Sequence, residues 1–136
     1  MVKSNKPMAM SKTVVYSTNA PDPIGPYSQA VLAGKLLFLS GQIALQKGSG
    51  NLLTGNITEE TNQVMKNLGE ILKAAGMNFS HVVKSTIFLK DMANFPLVNE
   101  AYGKHFPTQP PARETVEVSR LPKDVNVEIS CIAIAD

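Results

Sequence analysis

The chain has 136 residues, 43% of them hydrophobic, with 13 basic and 11 acidic side chains and a net charge of +2. That is one domain with enough apolar material for a core, and its charges show no basic run or stripe of the kind nucleic-acid binding needs. Its one cysteine, Cys131, excludes an intramolecular disulfide framework and fits a reducing compartment. No apolar run is long enough to span a bilayer.

Residues 1–11 carry lysines, no acid and no apolar h-region. They are expected to form a flexible tail rather than a secretory signal. Import into an organelle by this tail stays open, and the expected location is the cytoplasm. The folded domain is expected over 12–136. Within it, Lys12 to Tyr16 reads as a first strand, β-branched and short. Asn19 to Pro26 holds three prolines and a glycine and must be irregular. Ile24 to Ala30 leads into a second strand that ends near Gly34, and Lys35 to Ser40 forms a third, making a hairpin about Gly34. Gly41 interrupts an apolar run, which suggests a bulge or a close backbone approach.

Thr58 is the expected cap of a first helix, with Glu59 and Glu60 opposing its dipole. Val64, Leu68, Ile71, Leu72 and Ala75 form its buried stripe, and Gly76 ends it. His81 to Lys90 is a strand with Val83, Ile87 and Leu89 on one face and Lys84, Thr86 and Phe88 on the other. A second helix is capped by Asn94, tolerates Pro96 in its first turn, and turns Phe95, Val98, Tyr102 and Phe106 inward. Pro107 stops it. Two further β-rich runs, from Ala112 and from Val127, flank a polar turn at Arg120 to Asp124. They are expected to pair as an antiparallel hairpin centred on Leu121 and Pro122. In that register Arg113 and Thr115 share a face with Glu128 and Ser130, so an Arg and a Glu converge on one surface. Val116, Val118, Val127, Ile129 and Cys131 would form the core face.

The order β-β-β-α-β-α-β-β implies an α+β domain, a mixed sheet with two helices on one face. The opposite face, expected to carry Lys84, Thr86, Phe88, Thr115 and Glu128, is too apolar for free solvent and implies oligomerisation. Four segments then carry a resemblance: Ile24-Gly-Pro-Tyr-Ser-Gln, Leu39-Ser-Gly-Gln-Ile, Val83-Lys with Phe88-Leu-Lys-Asp91, and Pro111-Ala-Arg113 through Leu121-Pro-Lys-Asp and Val127-Glu-Ile. In this order and spacing they resemble the reactive-intermediate deaminase (RidA/YjgF) family from Lys12 to Ala135. The resemblance implies a chorismate-mutase-like fold, a barrel-like homotrimer and ligand clefts between subunits. It implies hydrolysis of 2-iminobutanoate and 2-iminopropanoate, released by pyridoxal-phosphate enzymes, to 2-keto acids and ammonia. Arg113 would bind the carboxylate and Glu128 would hold the reacting water, with Tyr27, Ser40, Gly41 and Asn99 lining the cleft. Where members usually carry a small residue and often a cysteine, this chain has Glu114 and Thr115. Alternation turns Glu114 away from Arg113, while Thr115 still offers a hydroxyl.

These residue types suit that chemistry. A guanidinium grips a carboxylate through two parallel N–H donors. A carboxylate can take a proton from attacking water and return it to the departing nitrogen. Neither step demands a metal or an organic cofactor. Apart from the resemblance, an Arg–Glu pair on neighbouring strands is more often a structural ion pair, Tyr27 a packed turn aromatic and Asn99 a solvated amide. Cys131 reads as an inert core residue, and His81 and His105 lack partners at zinc-ligand spacing. The alternatives to an imine deaminase are an endoribonuclease or translation inhibitor, and a non-catalytic trimer that binds small carboxylates. Without paired histidines or stacking aromatics among clustered basic residues, nucleic acid is the weaker reading.

Overall fold

The computed structural model describes residues 12–136; the tail expected over 1–11 lies outside them. Among the described residues, six strands form one sheet: β1 (Lys12–Val15), β2 (Ala30–Ala33), β3 (Leu36–Gln42), β4 (Val82–Leu89), β5 (Ala112–Glu117) and β6 (Val127–Ile134). Two α-helices, α1 (Ile57–Ala74) and α2 (Phe95–Gly103), accompany them. In space the strands run β1-β2-β3-β6-β4-β5. Every neighbouring pair is antiparallel except β4 and β5, which are parallel. This is the α+β single domain with a mixed sheet that the element order implies. No helix among the described residues is long and apolar enough to cross a membrane.

The core lies between the helices and one sheet face. Val64, Leu68, Ile71 and Leu72 of α1 are fully buried there with Leu37, Ile87, Leu89 and Ile129. Each such side chain contributes about 1.5–3 kcal/mol by leaving water. The cap of α1 is Asn56 rather than Thr58. Asn56 holds the extended conformation and its side chain accepts from Glu59 N at 3.0 Å, while Thr58 is already inside the helix. At the other end Gly76 takes a φ of 73°. That lets Gly76 N donate to Lys73 O and Met77 N to Leu72 O, both at 2.9 Å, closing a Schellman turn. In α2, Val98 and Tyr102 are buried and Phe95 packs on the core, as the spacing predicts, while Phe106 packs on the core from just beyond the helix end at Gly103. Asn94 stands at its cap position without a side-chain hydrogen bond; Asp91 caps the preceding 3-10 turn instead.

The expected hairpin between the last two strands does not form. β6 lies between β3 and β4, and β5 sits at the sheet edge on the far side of β4. The segment from Arg120 to Asp124 is a crossing rather than a tight turn. Leu121 and Val125 are buried at its two ends, and Lys123 and Asp124 take φ values of 55° and 56°. These anchors carry the chain past β4. The faces change accordingly. Arg113 lies beside Ser85, and Thr115 beside Ile87, on the helix-covered side, whereas Glu128 lies beside Phe88 on the open side. Val116 pairs with Phe88 and is 40% exposed, so it belongs to the open face and not to the core. A register shift between Val82 and Lys84 also turns Val83 outward and gives its core place to Val82. The open face exposes Leu36, Phe38, Val116 and Ile134 around a Lys84–Glu114 ion pair at 3.1 Å.

Candidate active site

Two clusters hold the residues singled out from the sequence, one on each side of the sheet. The first is built on β5 and α2. Pro110 and Pro111 lead into β5 and limit where Arg113 can start. Its Nη1 donates to Asn99 Oδ1 at 2.7 Å. The guanidinium carbon lies 5.5 Å from the ring centroid of Phe95 and 5.2 Å from that of Tyr102. Two rings and one amide therefore fix the plane of the cation, and its other N–H donors have no protein partner among the described residues. Beside it a cleft of about 420 Å³ is lined by Asn99, Tyr102, Phe106, Pro110, Pro111 and Arg113. The Thr115 hydroxyl, on the same side, is a buried oxygen with no hydrogen-bond partner among the described residues. Burial pushes the Tyr102 phenol up, opposed by its neighbours Ser85 and Arg113.

The second cluster is built on β3, β6 and the loop before β2. The expected irregularity at Gly41 is there: pairing between β3 and β6 slips between Leu39 and Gln42. A methyl group added at Gly41 would stand 2.8 Å from Glu128 Cδ, so glycine is what lets that carboxyl lie against the β3 backbone. Burial alone raises the Glu128 pKa. Tyr27 and Gly41 line a small apolar cleft with Pro21 and Ile24. Ser40 closes the strand start, its hydroxyl donating to Ser28 O at 2.6 Å and its amide to Gln29 O at 2.9 Å. Gln29, buried, holds the loop from within: its side chain accepts from Ser17 N and donates to Ser17 O and Pro21 O.

The structure thus groups Arg113 with Asn99 and Thr115, and Glu128 with Gly41, Ser40 and Tyr27. It does not bring Arg113 and Glu128 onto one surface of the protomer. The reason is parity: their partners on β4, Ser85 and Phe88, are three residues apart and point to opposite faces. Glu114 does turn away from Arg113, accepting from Thr86 Oγ1 at 2.7 Å, and this partner first and Lys84 second lower its pKa.

Comparison with known proteins narrows what these clusters belong to. The family model described as Endoribonuclease L-PSP matches residues 17–135. The chain belongs to this RidA/YjgF family. It is 45% identical over 126 residues to the human 2-iminobutanoate/2-iminopropanoate deaminase, covering 93% of this chain and 92% of that protein. A crystal structure from Thermotoga maritima, described as a putative endoribonuclease, superposes with a TM-score of 0.89 at 44% identity, covering 91% of this chain and 98% of the other. The E. coli TdcF structure with bound serine superposes at 0.86 with 33% identity, covering 91% and 99%. Within this RidA/YjgF chain, the helical spacing reads Phe95 and Tyr102 as core packing only, while Asn99 is placed in the cleft by the resemblance alone. Their spacing held the signal: positions 95, 99 and 102 share one helix face, and that face meets Arg113. Glu60, read as a helix-dipole residue, is instead fully buried and bonded to Asn126 and Val127. Among the described residues no cluster of three His, Cys, Asp or Glu side chains could hold a metal ion.

Proposed function

We propose that this chain hydrolyses short 2-imino acids to 2-keto acids and ammonia, with 2-iminobutanoate and 2-iminopropanoate as substrates. The observation that carries the reading is the Arg113 guanidinium. It is oriented by Asn99, Phe95 and Tyr102 and keeps donors free beside a cleft, as a small carboxylate requires. The deaminase name of the human relative and the serine bound by TdcF, an amino acid with a carboxylate, support it.

Arg113 and Glu128 face opposite sides of one sheet, so a site that uses both needs two copies. The apolar residues on the open face support association of copies, and the family resemblance makes that assembly a homotrimer, with the Arg113 cluster of one copy meeting the Glu128 cluster of the next. In that cleft Arg113 and Asn99 hold the substrate carboxylate, while Tyr27, Gly41 and Thr115 shape the space around the C=N carbon. Glu128 takes a proton from water as the water oxygen bonds to that carbon and passes it to the imine nitrogen, giving a carbinolamine. It then takes the proton of the carbinolamine hydroxyl and delivers it to nitrogen as C=O forms and the C–N bond breaks, leaving keto acid and ammonia. Burial, by raising the Glu128 pKa, strengthens it as a base once ionised.

The test is a coupled assay in which a threonine dehydratase generates 2-aminocrotonate and decay of the imine is followed with and without this protein. Acceleration that is lost in Arg113→Ala supports the reading. No acceleration by a folded oligomer overturns it. An RNA-cleavage assay on the same preparation examines the endoribonuclease activity that the family description names.

A further inference from the structure

Glu60 is a fully buried carboxylate with no ion-pair partner among the described residues. Its two oxygens are instead filled by two consecutive residues at the start of β6. Oε2 accepts from Asn126 N at 2.7 Å and Val127 N at 3.0 Å, and Oε1 accepts from Asn126 Nδ2 at 2.7 Å. A charge this deep is tolerated because its lone pairs meet donors. The donors are there because β3 pairs with β6 only from Ile129 onward, which leaves the Val127 amide beyond the reach of that strand. From the other side Lys90 N donates to Asn126 O at 3.0 Å. Asn126 is therefore pinned between α1 and the end of β4, two residues before Glu128.

The Glu128 carboxyl lies close against the backbone at Gly41. Its Cδ would stand 2.8 Å from a methyl group on Gly41. A small shift of the first residues of β6 moves the carboxyl off that seat, because a strand transmits displacement along its backbone. We infer that Glu60 is a positioning residue for Glu128: by fixing Asn126 and Val127 it seats the acid–base carboxyl over Gly41. The role rests on the deaminase reading for its kinetic expression but not for its geometry.

A buried carboxylate with a merely structural role would also lower stability when changed, so the experiment reads Glu128 itself. Glu60→Gln keeps the side chain's size and exchanges one acceptor for a donor that faces Asn126. Asn126→Ala removes one donor and leaves the Glu60 charge in place. Both variants, assembled as the wild type is, are assayed well below their melting temperatures, and the Glu128 carboxyl is titrated by ¹³C NMR. In Glu60→Gln, kcat falls about tenfold with KM within twofold, since the Arg113 cluster is untouched. In Asn126→Ala the fall is two- to threefold. In both, the Glu128 titration moves down toward the ordinary carboxylate range as the loosened strand admits water. The Asn126→Ala shift cannot come from removal of a charge, and that variant carries the test if Glu60→Gln does not fold. Folded variants with wild-type kcat and an unmoved Glu128 titration overturn the inference, whatever happens to Tm. If the wild-type protein hydrolyses no imine yet the titration moves, the deaminase reading falls and the positioning role stands.

Discussion

The two clusters of this protein are held by opposite means. Arg113 is exposed but fastened, with an amide bonded to one edge and two aromatic rings within cation–π reach. Glu128 is half-buried, and among the described residues no ion pair or hydrogen bond holds its carboxyl; it rests against Gly41 on a strand pinned from beneath. On the proposed reading, the difference suits what each group would do. A cation that grips a carboxylate needs a set orientation and keeps its charge at any working pH. A carboxylate that trades protons is helped by a pKa raised toward the working pH, and in the isolated protomer burial raises that of Glu128 with no cation to oppose it.

The largest effect should come from Glu128→Gln, which removes the proton carrier and leaves the shape. Turnover falls by about 10²–10⁴ with little change in KM, read in the dehydratase-coupled assay. The same change should raise stability at pH 7. A folded pKa above the unfolded one favours the native state at low pH, and that contribution is lost as pH rises through the folded value. The ionised Glu128 is therefore a cost at neutral pH. Its removal raises Tm by roughly 1–4 °C in calorimetry, and an unchanged or lowered Tm would show that assembly supplies Glu128 with a partner. Next, Arg113→Ala lowers kcat/KM by about 10²–10³, mostly through KM. Arg113→Lys recovers only part, since an ammonium on a flexible stem neither stacks nor binds bidentately.

Gly41→Ala sharpens the contrast. The atoms its new methyl would meet belong to the Glu128 side chain, which can swing away. The fold survives, circular dichroism stays native, and kcat falls about tenfold; an Arg113 cluster untouched by the change predicts a normal KM. The smallest effect in an isolated protomer is that of Glu114→Ala, which breaks a half-exposed pair with Lys84. Such a pair leaves Tm within roughly 2 °C. A drop well beyond that, together with loss of the oligomer in light scattering, would mean that the open face is covered in the assembly.

Much of this was legible in the residues. Period-3.6 stripes placed both helices, and the glycine inside an apolar run pointed to a bulge or a close approach without naming Glu128 as the group that comes near. The misreading lay in the last strands. A short polar segment between two β-rich runs reads as a hairpin, but Leu121 and Val125 within it are core anchors, and a turn buries neither. The clue that competes with it is the helix between β4 and β5, since a helical crossover joins parallel strands. Pairing β5 with β4 fills one side of that strand and leaves the other for β6. The inward turn of Glu60 left no mark in the sequence, because its partners are backbone amides 66 and 67 residues away.

The position of β6 in the sheet bears on how the chain comes to be folded. β3 and β4 do not pair with each other; β6 lies between them and joins the two parts of the sheet. It is also the last of the six strands to leave the ribosome. Until it arrives, the β1–β3 meander and the β4–α2–β5 unit each present an unpaired inner edge, open to strands of other nascent chains. Closure of the sheet must therefore wait for β6, and its rate is set by long-range pairing rather than by helix formation.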